Sequence, residues 1–157
     1  MKFWFNFEIK DCAYKIMKNN KNIKVAVVMG SPSDYKTMRL STKILSKMWI
    51  KFETKILSAH RTPERMYRFA SSAAKNNIGV IIAGAGGSAH LPGMISALTS
   101  IPVLGVPIES KKLKGLDSLL SLAQIPKGVP IGNLNIGADR AINSELLAAS
   151  IISTNNS

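Results

Sequence analysis

Four short apolar runs, Val25–Met29, Phe52–Leu57, Val80–Ala83 and Val103–Val106, constrain this chain more than any other feature, and a fifth, Val129–Ile136, completes the set. The runs lack the every-second-residue alternation of half-exposed strands, so both faces of each strand are expected to be buried. Between them lie segments with helical spacing. Asp34–Met48 sets Met38, Ile44, Leu45 and Met48 roughly on one face. Pro63–Ala74 has Thr62 as its expected cap and Pro63 at the favoured first position. Pro92–Leu98, Leu116–Ala123 and Ala138–Ile152 follow, the last preceded by Gly137. Strands alternating with helices in this way predict βαβ units, and hence an α/β domain with a parallel sheet covered on both sides.

At 157 residues the chain holds one such domain and not two. Its expected limits are 23–152. Residues 1–22 carry Trp4 and three Phe and fit no βα unit. Residues 1–16 are expected to be an added or mis-annotated leader before Met17; the alternative is an edge strand using Phe3, Phe5, Phe7 and Ile9. The polar tail, 153–157, is expected to fray. No run of about 18 apolar residues appears and the start lacks the features of a signal peptide, so no membrane is expected. Cys12 is the sole cysteine, which excludes an intrachain disulfide and a cysteine-rich metal site; a reducing cytoplasm is the expected home. The net charge of +12 is spread along the chain, with its densest cluster, Lys111, Lys112 and Lys114, in one loop. A nucleic-acid binder concentrates its bases in a stripe, so this charge reads as a solvated surface.

Ligands of open α/β sheets sit where loops leave the carboxyl ends of the strands. Three such loops here are rich in small and polar residues. Gly30-Ser31-Pro32-Ser33-Asp34 offers hydroxyls and free N–H groups to an anion, or else a turn that Ser33 or Asp34 merely caps. Ser58-Ala59-His60-Arg61-Thr62-Pro63 pairs a donor fork suited to phosphate, Arg61, with a proton shuttle, His60. Gly84-Ala85-Gly86-Gly87-Ser88-Ala89-His90-Leu91-Pro92-Gly93 allows close backbone approach to a ligand. It passes for a dinucleotide fingerprint, with Glu109 about 20 residues on, but Pro92 and Gly93 follow at once and no second domain has room. No metal-ligand cluster, Walker loop or Gly-x-Ser-x-Gly elbow is present. The residues alone therefore predict a small α/β domain that binds a phosphorylated ligand, with His60 moving a proton.

Taken together and in this order, the three loops, with Pro102–Pro107 and Gly115-Leu116-Asp117-Ser118-Leu119, resemble the bacterial N(5)-carboxyaminoimidazole ribonucleotide mutase family. Its members are also called the catalytic subunit of phosphoribosylaminoimidazole carboxylase. The resemblance runs from about Val25 to Ile152. It implies a flavodoxin-like three-layer αβα sandwich, assembled as a homo-octamer, working in purine biosynthesis. Its substrate would come from the ATP-dependent carboxyaminoimidazole ribonucleotide synthetase. It implies that Asp34 takes the ribose hydroxyls while Ser31, Ser33, Ser58 and Arg61 gather round the phosphate. Gly86, Gly87, His90 and Leu91 would close over the base and the migrating carboxylate, with His60 as the catalytic shuttle. Neither cofactor nor metal is implied. Lys127, Asn133 and Ser88 depart from the usual family pattern, and the chain stops early for the family. Other readings are direct carboxylation of aminoimidazole ribonucleotide by carbon dioxide, and a non-catalytic flavin- or nucleotide-binding module.

Overall fold

The structure, a computed structural model, describes residues 22–111, 113–136 and 141–154. Expectations for residues 1–21, Lys112, 137–140 and 155–157 lie outside the described residues. Five strands form one parallel sheet in the order β2-β1-β3-β4-β5: β1 (Lys24–Met29), β2 (Phe52–Ile56), β3 (Ile78–Gly86), β4 (Val103–Ile108) and β5 (Gly132–Asn133). The helices are α1 (Tyr35–Lys47), α2 (Pro63–Ser72), α3 (Leu91–Ser96), α4 (Leu116–Ala123) and α5 (Ala141–Thr154). Single 3-10 turns occupy Pro32–Asp34 and Ala74–Asn76. This is the flavodoxin-like strand order, with its crevice where the order reverses between β1 and β3.

Strand β1 explains the unbroken apolar runs. Its Val25, Val27 and Met29 pack with Met38 and Leu45 of α1 and Ala148 and Ile152 of α5. Its Ala26 and Val28 face Met66 and Phe69 of α2, Ile95 of α3 and Leu122 of α4. Both sets are buried, so neither face has a use for polar residues.

The main departures from expectation have local causes. Strand β3 takes in Gly84, Ala85 and Gly86, because β1 pairs with it to Gly84 and β4 continues the ladder to Gly86. Glycine at 84 lets α1 approach closely: a Cβ there would stand 2.5 Å from Met38 Sδ. Strand β5 shrinks to two residues at the sheet edge, with Pro130, which has no N–H to donate, just before it. Thr62 precedes α2 but makes no side-chain cap; its Oγ1 donates to the Ser58 carbonyl instead, at 3.1 Å. Helix α5 runs on to Thr154, through the first two residues of the expected tail.

Glu145, on α5, is fully buried. Ser144 Oγ donates to its Oε1 at 2.7 Å, while Oε2 has no hydrogen-bond partner among the described residues. Burial pushes this carboxyl above the ordinary glutamate range, opposed by the Ser144 and Ser41 hydroxyls. The folded chain therefore holds this proton more tightly than the unfolded chain does. Its stabilising contribution is full below the unfolded glutamate pKa and is lost as pH rises through the raised folded value. A buried acceptor left unpaired costs about 1–3 kcal/mol. Glu145→Gln is expected to raise the melting temperature at pH 8 by several degrees, at roughly 2–4 °C per kcal/mol, and to change it little at pH 4. Thermal melts of both proteins at the two pH values check this; equal shifts at both would exclude the carboxyl charge as the cause.

Candidate active site

A cavity of about 530 Å³ opens at the carboxyl ends of β1, β2, β3 and β4. Its first wall is the loop after β1. Ser31 caps the 3-10 turn: its Oγ accepts from Ser33 N at 3.4 Å, and Asp34 Oδ2 accepts from Ser31 N at 3.0 Å. Ser33 Oγ lies 2.9 Å from Ser31 Oγ. The capping residue is thus Ser31 rather than Ser33 or Asp34, with Asp34 closing the box, and the capped turn also presents both serine hydroxyls to the cavity. Burial raises the Asp34 carboxyl above its usual range, and the Ser31 N–H, the Ser33 hydroxyl and the Gly30 backbone pull it back.

The loop after β2 supplies Ser58, Ala59, His60 and Arg61. Ser58 Oγ accepts from Arg61 N at 3.1 Å and from Arg61 Nε at 3.5 Å, which folds the loop so that Arg61 turns toward the cavity. Arg61 is the only Lys or Arg on the described cavity wall, so the many surface lysines stand elsewhere. His60 Nε2 is 2.9 Å from His90 Nδ1, with the rings nearly perpendicular at 87°. One nitrogen must donate and the other accept, so the contact orients both rings and excludes protons on both facing atoms. His90 is not on the cavity wall; it meets the cavity through His60.

From the loop after β3 come Ala85, Gly86, Gly87, Ser88 and Leu91. Gly87 has φ +67°, a conformation that glycine adopts without strain. The dinucleotide fingerprint fails on geometry: Gly84 and Gly86 lie inside β3, and α3 begins only at Leu91.

A fourth wall, Ile108, Glu109 and Ser110 at the exit of β4, escaped the reading of the sequence. The rule that selects the other three loops points to it as well, although the sequence singles out Glu109 only by its spacing from the glycine loop. Among the described residues no three His, Cys, Asp or Glu side chains are grouped to hold a metal. Nor is any helix there long and apolar enough to cross a membrane.

The family profile of AIR carboxylase matches residues 24–157, a span that starts with β1 and takes in all four walls of the cavity. This chain belongs to the AIR carboxylase family. N5-carboxyaminoimidazole ribonucleotide mutase of Vibrio parahaemolyticus is 54% identical over 134 residues, covering 85% of this chain and 83% of that relative. The bifunctional purine synthesis protein purC/E of Dictyostelium discoideum is 51% identical over 128 residues, which are 82% of this chain and 13% of that one. The crystal structure of Treponema denticola PurE aligns with a TM-score of 0.73 at 26% identity, covering 83% of this chain and 80% of that one. Within this member of the family, the departing residues have distinct places. Ser88 is on the cavity wall, whereas Asn133 Nδ2 donates to the Leu122 carbonyl at 2.9 Å and ties β5 to α4. Lys127 is exposed in the turn before β5.

Proposed function

We propose that this AIR carboxylase family member is an isomerase of de novo purine biosynthesis, reversibly converting N(5)-carboxyaminoimidazole ribonucleotide to 4-carboxy-5-aminoimidazole ribonucleotide. The observation that carries the reading is one cavity in which a histidine, a single arginine and a capped, hydroxyl-rich turn converge. Ser31, Ser33, Ser58 and Arg61 bind the phosphate. Asp34 accepts from the ribose hydroxyls, and Gly86, Gly87 and Leu91 enclose the base and the carboxylate, while His90, expected to join them, acts only from behind His60.

The chemistry balances with one travelling proton. His60, as imidazolium, gives a proton to the exocyclic nitrogen as the N–C bond of the carbamate breaks, leaving carbon dioxide and the aminoimidazole. Ring carbon 4 then bonds to the trapped carbon dioxide, and His60 takes the proton that this carbon loses. The imidazolium is restored, and neither ATP nor a redox partner is consumed. Retaining both fragments in one site supplies effective molarity, and excluding water limits loss of the intermediate.

The protein works as a homo-octamer in the cytoplasm, taking its substrate from the ATP-dependent carboxyaminoimidazole ribonucleotide synthetase. The purC/E relative, in which a similar stretch is 13% of a bifunctional purine synthesis protein, supports a place in purine synthesis. The test follows product absorbance when purified protein meets the carbamate at low bicarbonate without added metal or ATP. Rapid turnover is expected. Product formed only from aminoimidazole ribonucleotide and added bicarbonate would overturn the assignment.

A further inference from the structure

The Asp117-Ser118 pair in the fifth matching stretch has no place in the reaction above, and its side chains do not line the cavity. Each nevertheless holds a residue that does. Ser118 is fully buried; its Oγ accepts from Gly87 N and donates to the Ile108 carbonyl, both at 2.8 Å. One turn on, Ser121 Oγ shares its single proton between the Asp117 carbonyl at 2.8 Å and the Gly87 carbonyl at 3.3 Å. Asp117 Oδ1 accepts from Ser110 Oγ at 2.8 Å. The first turns of α4 therefore grip two adjacent walls, the glycine loop after β3 and the loop after β4.

Gly87 shows why this grip matters to the site. It has no side chain, and a Cβ built on it would meet no atom within 4 Å, so no side-chain packing holds it. Its φ of +67° is one of several conformations open to glycine. Among the described residues, hydrogen bonds from α4 to its N–H and its carbonyl select that conformation. We propose that α4 acts as a clamp on the glycine loop, with Ser118 as a positioning residue that keeps the released carbon dioxide beside the ring carbon; the role rests on the reaction proposed above.

Displacing a reacting fragment by about 1 Å costs on the order of 100-fold in rate. Ser118→Ala is expected to keep KM within a few-fold while product formation falls by about 10- to 100-fold. More of its turnovers end as free aminoimidazole ribonucleotide and carbon dioxide, a change in partition that a general loss of folded protein does not cause. Hydrogen–deuterium exchange of the peptide spanning residues 84–93, measured without substrate, is expected to be faster than in wild type. A folded Ser118→Ala protein with wild-type partition and wild-type exchange would overturn the clamp. If that variant does not fold, Ser121→Ala decides by the same two readouts, and unchanged values there overturn it equally. Wild-type protein inert toward the carbamate would fail the reaction alone, because the exchange comparison still tests the clamp.

Discussion

His60→Asn protein is expected to bind the nucleotide nearly as wild type does and to turn it over at least about 100-fold more slowly, up to about 10⁴-fold. The proposed reaction has one proton to deliver and one to remove, and His60 is the only histidine on the described cavity wall. Asparagine keeps a polar side chain of similar reach but carries no titratable nitrogen. Affinity is expected to survive because the proposed reading gives the phosphate and ribose contacts to other residues of the same cavity. Equilibrium binding by calorimetry and product formation by ultraviolet absorbance separate the two effects. A variant with the wild-type rate would move the proton step to another group, of which His90, at 2.9 Å, is the closest titratable one identified.

The pattern of apolar runs carried the fold because each central strand is buried on both faces, which leaves a sequence trace independent of detail. Val25–Met29 is such a run, and the structure extends it by a single residue. The edge of the sheet left no comparable trace. Val129–Ile136 contains enough apolar residues for a strand, yet only Gly132 and Asn133 pair, since Pro130 lacks a donor and β4 offers a partner on one side only. At the site, the loops rich in glycine, serine and histidine were legible through their chemistry, and the structure gathers them round one cavity. What stayed hidden was contact across the chain. The meeting of His60 with His90 spans 30 positions and that of Gly87 with Ser118 spans 31. Ser118 looks like any small helical residue until the fold brings it beneath the loop.

Arg61 allows binding to be told apart from chemistry. A phosphate dianion bound as proposed would meet one cation of the described cavity wall, Arg61, together with the Ser31 and Ser33 hydroxyls beside the capped turn. The other bases of a chain with net charge +12 are not on the described cavity wall, so none of them offers its donors there. Arg61→Met keeps much of the stem and removes the donor fork. A hydrogen bond to a charged group contributes about 1.5–3 kcal/mol, so KM is expected to rise about 10- to 100-fold. The turnover number should stay within a few-fold, since an interaction made equally with substrate and transition state alters KM alone. Arg61→Lys keeps the charge without the planar fork, and its KM is expected between the two. Inorganic phosphate should compete with substrate in wild type and much less in Arg61→Met. Steady-state kinetics of the three proteins, with and without phosphate, provide the check. A fall in turnover with KM unchanged would instead place Arg61 against charge that develops during the reaction, at the migrating carboxylate rather than the phosphate.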